Sequence, residues 1–140
     1  MRFIGLDVGT KRVGIAISDK TNTIASPLKV IEFHDINKCI KEINEIIIAN
    51  DITEVIIGLP KNMDNSLGFA SERTMKFKSE LENIVDTKVS LIDERLTTVE
   101  AENILINNDY RRDKRKKNID TVAAVLILET YLKGRKNKNE

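Results

Sequence analysis

The fold of this chain is decided by residues 2–18, which read RFIGLDVGTKRVGIAIS. Two apolar runs rich in Ile and Val, residues 2–8 and 12–18, are separated by a short polar segment that begins with a glycine. Runs of this kind on either side of a turn are typical of β-strands joined as a hairpin. The segment therefore predicts two antiparallel strands, with one acidic residue, Asp7, near the end of the first.

The remainder of the chain alternates between helical and strand patterns. A third strand is predicted from about Ile24 to Phe33, and Pro27 favours a place at the edge of the sheet. Apolar periodicity and continuous apolar runs predict the later elements. These are a helix over 35–50, a strand over 54–59, a helix over 66–84, a strand over 88–93, a helix that begins at the capping box of residues 97–100, a loop over 107–118 and a helix over about 119–132.

This order, β-β-β-α-β-α-β-α-α, predicts an α/β fold. Three meander strands followed by alternating helices and strands favour a mixed five-stranded sheet. In that sheet an antiparallel three-strand meander is extended by parallel strands, and helices cover both faces. With 140 residues, the chain is expected to form one domain over residues 1–133. A basic tail, residues 134–140, is predicted to be disordered.

Charge is distributed unevenly along the chain. Residues 111–140 carry ten Lys and Arg against four Asp and Glu, although the net charge of the whole chain is only +1. The basic run 111–117 is either a solvated loop or a surface that contacts phosphates. No apolar run is long enough to span a membrane, and the single cysteine, Cys39, allows no internal disulfide. We expect a cytoplasmic protein in which Cys39 packs in a helix and His34 lies at the surface.

Acidic residues stand at the edges of three predicted buried elements. Asp7 lies near the end of the first strand, Asp93 and Glu94 end the last strand, and Asp120 begins the last helix. Mg²⁺ and Mn²⁺ prefer oxygen ligands and are held by a few carboxylates together with water and phosphate. The pattern predicts a two-metal site for phosphodiester cleavage, in which Asp7 bridges the ions. Asp120 and one residue of the 93–94 pair would each bind one ion.

Other roles are open for two of these acids. Asp120 also fits an ordinary carboxylate at a helix start, and Glu94 fits an ion pair with Arg95. Asp7 has no comparable structural task within its apolar strand. Because side chains alternate along a strand, Gly5 is expected to share a face with Asp7. Gly5 and Gly9 are both expected to leave the space beside Asp7 open.

Basic and polar residues near the acids are predicted to contact a nucleic-acid backbone. For the segment after the fourth strand, an ordinary strand-to-helix turn is the alternative. The predicted contact residues are Lys11, Arg12, Lys61, Asn62, Arg73, Arg95, Arg115, Lys116 and Lys117.

Four ordered motifs resemble those of the YqgF (RuvX) family. The match is collinear from Met1 to about Leu132, so it covers nearly the whole chain. The motifs are Gly5–Gly14; Gly58-Leu59-Pro60 with Asn62-Met63-Asp64; Asp93–Thr98; and Asp120–Ala124 with Ile127-Leu128-Glu129 and Tyr131-Leu132.

The resemblance implies an RNase H-like fold related to RuvC-type junction resolvases, in a small cytoplasmic bacterial protein. It implies a metal-dependent nuclease, with Mg²⁺ or Mn²⁺ as cofactor, that takes part in 5′-end maturation of precursor 16S rRNA. Carried over to this sequence, the metal-binding acids are Asp7, Glu94 and Asp120, with Asp93 as the alternate to Glu94. The expected partners are structured rRNA precursor and the pre-30S particle, with no membrane, for a monomer or weak homodimer.

Three rival functions remain open at the level of sequence. A Holliday junction resolvase would use the same chemistry on DNA, but paired cuts need a symmetric dimer, and no clear dimer surface is visible in the sequence. A sugar kinase or actin-like ATPase has a similar glycine-rich opening, but uses two such domains. A non-catalytic RNA-binding assembly module would keep the acids without using them. Metal binding and cleavage separate the last rival from the enzymes.

Overall fold

The structure is a computed structural model that describes residues 2–59, 68–93 and 112–138, with the backbone alone at 69, 70, 93, 112–120 and 135–138. The described residues form five strands and three helices. In chain order these are β1 (Arg2–Val8), β2 (Arg12–Ser18), β3 (Ala25–Glu32), α1 (Ile36–Ala49), β4 (Ile52–Leu59), α2 (Phe69–Glu82), β5 (Lys88–Asp93) and α3 (Arg112–Lys138).

The five strands form one mixed sheet in the order β3-β2-β1-β4-β5. The pairs β1–β2 and β2–β3 are antiparallel, whereas β1–β4 and β4–β5 are parallel. This confirms the predicted meander extended by parallel strands. It also places β1 at the centre of the sheet, where it is paired on both sides.

Most predicted elements agree closely with the structure. β1, β2 and β5 have the predicted bounds, and β4 begins two residues earlier than predicted, at Ile52. Ile52 is buried and Thr53 is exposed. This alternation lies outside the continuous apolar run from which the strand was predicted. The helix predicted to begin at residues 97–100 lies outside the described residues.

The last helix differs from its prediction. α3 begins at Arg112 and continues to Lys138, whereas residues 107–118 were predicted to be a loop and residues 134–140 a disordered tail. Residues 112–118 contain no apolar side chain, so they carry no periodicity. However, Lys and Arg favour helices, and no proline interrupts the segment. The loop prediction is therefore wrong for 112–118, and residues 134–138 are helical.

Helices cover both faces of the sheet, as predicted. One buried cluster lies between the sheet and the α1–α2 layer and includes Ile40 and Ile43 of α1 and Phe77 and Leu81 of α2. A second cluster lies on the opposite face, beneath α3; its buried members are Phe3, Ala16, Ala25, Ile56, Ala124, Ile127, Leu128 and Leu132. Within the described ranges, no helix combines the length and apolar character required to cross a membrane.

α3 packs against β1 at Gly5 with no space between them. A Cβ atom added at Gly5 would lie 2.8 Å from the carbonyl oxygen of Ala124 and 2.9 Å from the Cβ of Leu128. The expectation that Gly5 leaves open space is therefore wrong, because the helix backbone fills that space. Gly5 is needed so that helix and strand can approach this closely.

We predict that Gly5→Ala lowers the free energy of unfolding by about 1–3 kcal/mol, the usual effect of overpacking a tight contact. Urea denaturation measures the change. Gly134→Ala is the matched control, because a Cβ at Gly134 meets nothing within 4 Å and alanine favours a helix interior over glycine. Equal stability of Gly5→Ala and the wild type would contradict the close packing.

Candidate functional site

Asp7 lies near the carboxyl end of β1, on the face covered by α3. Phe3, which has the same parity along the strand, belongs to the cluster beneath α3, and Asp7 itself is half-buried. The central strand therefore carries a carboxylate to the edge of the sheet where the parallel strands β1, β4 and β5 all end. In open α/β sheets this is the edge at which ligands bind.

The neighbours of Asp7 in the sheet are glycines. Its antiparallel partner in β2 is Gly14. On the other side, Gly58 of β4 follows Ile57, the partner of Leu6, so Gly58 lies alongside Asp7. Residues opposite each other in neighbouring strands share a face, and neither glycine has a side chain. At these two positions the neighbouring strands therefore place no side chain beside Asp7.

α3 crosses β1 in the opposite direction and brings position 120 toward Asp7. Near the start of β1, Phe3 makes an edge-to-face contact with Tyr131, with ring centroids 6.1 Å apart. Further along, Gly5 meets Ala124. From Gly5 to Asp7 the strand advances about 7 Å. The helical turn that precedes Ala124 begins at Asp120 and advances about 5.4 Å along the helix axis. Position 120 therefore lies one helical turn beyond Ala124, in the direction of the strand end that carries Asp7.

The other predicted acids end the neighbouring strand. Asp93 is the last residue of β5, and its backbone is paired with Leu59 of β4, so it reaches the same sheet edge as Asp7. Glu94 lies outside the described residues, as do Lys61, Asn62 and Arg95. Among the residues that the structure describes, there is no group of three potential metal ligands from His, Cys, Asp and Glu.

Two predicted nucleic-acid contacts lie in the β1–β2 turn at this edge. Lys11 is exposed and Arg12 is half-buried. The turn is closed by a hydrogen bond in which the Gly9 N–H donates to the Arg12 carbonyl at 2.8 Å. A Cβ on Gly9 would lie 2.9 Å from that carbonyl oxygen. The backbone of Arg12 thus fills the space beside Gly9, so the expectation that Gly9 leaves open space is wrong. The glycine permits the tight turn that carries both cations.

The other described cations belong to helices. Arg73 lies in the second turn of α2, which follows the carboxyl end of β4, and its buried Nε has no hydrogen-bond partner within the described part of the chain. Arg115, Lys116 and Lys117 occupy the early turns of α3, before Asp120. Arg73 and the 115–117 segment therefore lie on the helices that cover the two faces of the sheet.

His34 and Cys39 lie where the sequence predicted. His34 is exposed, whereas Cys39 is buried in α1. Burial, followed by the nearby charge of Glu42, raises the pKa of the Cys39 thiol to about 11. Because the thiolate is the nucleophilic form, Cys39 is inert at neutral pH.

Sequence reasoning missed a second acid, which is buried under α3. Glu54 of β4 is only 8% exposed. Its carboxylate accepts hydrogen bonds from the Ser90 hydroxyl at 3.1 Å and from the Tyr131 hydroxyl. Glu54 pairs with position 3 of β1, near the opposite end of the strand from Asp7. The sequence signal for this role was an acidic residue at an inward-facing position of β4. Glu54 anchors α3 through Tyr131, away from the Asp7 end of β1.

We predict that Tyr131→Phe lowers the free energy of unfolding by about 1–3 kcal/mol, because a buried carboxylate loses a donor. Thermal or urea denaturation gives the value. The control is Thr130→Ala, which removes an exposed hydroxyl that donates to the Leu126 carbonyl of the same helix. That change is expected to stay within about 0.5 kcal/mol. If the two variants were equally stable, Glu54 would not depend on Tyr131.

The sheet order and the helix across β1 define the RNase H-like fold. T. thermophilus RuvC in complex with a Holliday junction substrate is similar, with a TM-score of 0.62 at 13% identity over 97% of this chain and 96% of that one. Fowlpox virus resolvase in complex with Holliday junction DNA gives 0.57 at 16% identity over 96% and 99%. At these identities the likeness shows the fold alone.

Sequence comparison gives the family. The chain belongs to the family described as "RuvX: Holliday junction resolvase", which matches residues 1–134. A relative from Thermoanaerobacter pseudethanolicus is 46% identical over 99% of this chain and 100% of its own length. Another, from Caldanaerobacter subterraneus subsp. tengcongensis, is 44% identical over 98% and 99%. Both are named "Putative pre-16S rRNA nuclease". The chain is a nuclease, as its motifs implied.

Proposed function

We propose that this chain is a divalent-metal-dependent endonuclease that acts on precursor 16S rRNA during 5′-end maturation in the cytoplasm. One observation carries the proposal. Asp7 faces α3 at the carboxyl edge of the sheet, paired with Gly14 of β2 and alongside Gly58 of β4, and α3 runs from Ala124 at Gly5 back toward Asp120. A half-buried carboxylate at the ligand-binding edge of a sheet, with glycines at the two neighbouring strand positions, suits a metal ion.

In this proposal Asp7, Glu94 and Asp120 hold Mg²⁺ or Mn²⁺. Two such ions, when bound, activate a water molecule and stabilise the leaving oxygen of the phosphodiester. Asp7 is supplied by the central strand, which is fixed by pairing on both sides. Asp120 is supplied by a helix that is fixed against that same strand. The two acids would therefore be supplied by elements that pack directly against each other.

Glu94 is favoured over Asp93 by the alternation of β5. The strand's hydrophobic residues Val89 and Leu91 pack in the α1–α2 layer, whereas Ile92 packs on the α3 side and Ser90 bonds to Glu54 there. Even-numbered residues of β5 therefore face the same side as Asp7. Position 94 has that parity and position 93 does not.

Phosphate contacts in this proposal come from several elements around the sheet edge. Lys and Arg side chains would position the RNA backbone, which carries no sequence information itself. The proposed contact residues are Lys11, Arg12, Lys61, Asn62, Arg73, Arg95, Arg115, Lys116 and Lys117. The proposed partners are structured rRNA precursor and the pre-30S particle, bound by a monomer or weak homodimer.

Resolution of Holliday junctions is the second candidate. The family description and the junction-bound RuvC neighbour favour it. RNA is preferred because the relatives that match this chain along their whole length are named for precursor 16S rRNA. Junction resolution also requires two coordinated active sites in a symmetric dimer.

The first test is cleavage of a precursor 16S 5′-end RNA and of a four-way DNA junction, side by side, with Mg²⁺, with Mn²⁺ and with EDTA. We expect metal-dependent cutting of the RNA that falls at least 100-fold in Asp7→Asn, because an amide is a poor ligand for these ions. Asp51→Asn is the matched control. Asp51 is exposed and has a φ of 55°, a conformation that asparagine also accepts.

The outcomes separate the candidates. Symmetric cutting of the junction with an intact RNA would replace the rRNA nuclease by a resolvase. If neither substrate is cut, and Asp7→Asn binds RNA as tightly as the wild type, the chain is a binding module for ribosome assembly.

A second prediction concerns the basic start of α3. Replacing Arg115, Lys116 and Lys117 by glutamine is expected to weaken RNA binding and to flatten its salt dependence. The slope of log K against log [salt] changes by about 0.7 for each lost phosphate contact with a single strand. The same replacement of Lys133, Arg135 and Lys136 removes equal charge from the other end of this helix and is the control. An equal slope change in both triple variants would remove the 115–117 segment from the interface.

A further inference from the structure

A cavity of about 780 Å³ lies beside the β1–β2 turn, and most of its wall lies outside the motifs and the proposed cleavage site. Its walls are the turn at residues 9–12, the end of β3 with the residues that follow it, and one face of α1. The volume falls within the range of small-molecule sites, about 300–1,000 Å³, so a nucleotide fits within it.

The cavity adjoins the site at Asp7 through the turn. Gly9, which lines the cavity, follows Asp7 by two residues in the chain. The Phe33 N–H donates to the Lys11 carbonyl at 2.9 Å, which ties the turn to the end of β3. Ile31 and Cys39, which line the cavity, belong to the α1–α2 cluster. The cavity therefore opens on the opposite face of the sheet from Asp7.

The wall of the cavity carries three cations and three acids. Lys11, Arg12 and Lys38 all line it. Among the described residues, neither Lys11 nor Lys38 forms an ion pair. Two ammonium groups facing one cavity are suited to a phosphate.

Two of the three acids in the cavity are already engaged. Glu42 pairs with Lys29 at 2.6 Å, and the Asp35 carboxylate accepts a hydrogen bond from the Asn37 N–H at 3.0 Å as the N-cap of α1. Only Glu32, which is exposed, has no such partner within the described ranges. The N-cap hydrogen bond leaves Asp35 charged, so Asp35 and Glu32 offset two of the three cations and one cationic charge remains.

Two ring side chains complete the cavity. Phe33 is half-buried and His34 is exposed, and both line the wall next to the turn. Aromatic rings beside cations are the combination by which proteins bind unpaired nucleotides, since the base stacks on a ring while the phosphate meets a cation. A double helix offers no free base to such a cavity.

We infer that this cavity binds an unpaired nucleotide of the substrate RNA that flanks the cleaved phosphodiester, with its phosphate at Lys11 and Lys38 and its base against Phe33. The inference rests on the proposed function, because it names the feature of the RNA that the same enzyme recognises. It adds Phe33, His34 and Lys38 to the contact surface, none of which a sequence motif pointed to.

The test measures RNA affinity in the full chain carrying Asp7→Asn, so that bound RNA stays intact. The probes are a precursor 16S 5′-end RNA with an unpaired flank and the same RNA with its flank paired to a complementary strand. Lys38→Gln and Phe33→Leu are added singly; leucine preserves the apolar packing of Phe33 against the core. Lys41→Gln is the control, since Lys41 is exposed on the same helix and is not a lining residue of the cavity.

For the unpaired flank, Lys38→Gln is expected to lower the salt slope by about 0.7, and Phe33→Leu to weaken binding about fivefold or more. Lys41→Gln should leave both unchanged. The parent should bind the RNA with the paired flank more weakly. None of the three substitutions should change that affinity. If Lys38→Gln and Phe33→Leu both behave like Lys41→Gln, or weaken both RNAs equally, the inference is overturned.

Cleavage by chains with Asp7 intact tests the proposed function separately. RNA that is bound through the cavity but never cut with Mg²⁺ or Mn²⁺ would reject the nuclease proposal and keep the binding site. RNA that is cut and bound normally by both cavity variants would reject the binding site and keep the nuclease.

Discussion

The structure depends on one contact between two backbones, that of α3 against β1 at Gly5. A carbonyl oxygen of the helix lies where any side chain on the strand would have to be. Backbone atoms cannot change rotamer to relieve a clash, so this contact fixes the height of the helix above the sheet more firmly than a contact between side chains would. The contact joins the first strand of the chain to its last helix, the elements that carry Asp7 and Asp120.

A second contact fixes the direction of the helix. Near the other end of β1, Tyr131 packs its ring against Phe3 and donates to the buried carboxylate of Glu54. A buried acid is unfavourable unless donors surround it, and a donor that must come from α3 makes the seating of the helix specific. Together the two contacts fix how α3 packs along β1, the strand that carries Asp7.

Much of this arrangement could be predicted from the sequence. The strands were correct because Ile- and Val-rich runs separated by turn residues are local signals, and the two-sided cover of the sheet follows from the order of elements. The start of α3 could not be predicted, since residues 112–118 contain no apolar side chain to reveal a helix. The role of Gly5 was also misjudged, because a glycine in a strand signals close approach or open space equally well, and only the position of Ala124 decides between them. Glu54 was missed because its donors, Ser90 and Tyr131, are distant in sequence.

The placement of the cavity on the opposite side of the sheet from Asp7 has a mechanical consequence. A strand of RNA that occupies both places must pass over the β1–β2 turn and change direction there. Stacked, paired RNA resists such a bend, whereas a single strand makes it readily. The cleavage position of such an enzyme would depend on how easily the RNA bends around the β1–β2 turn. Base sequence would matter mainly through its effect on the flexibility of the RNA.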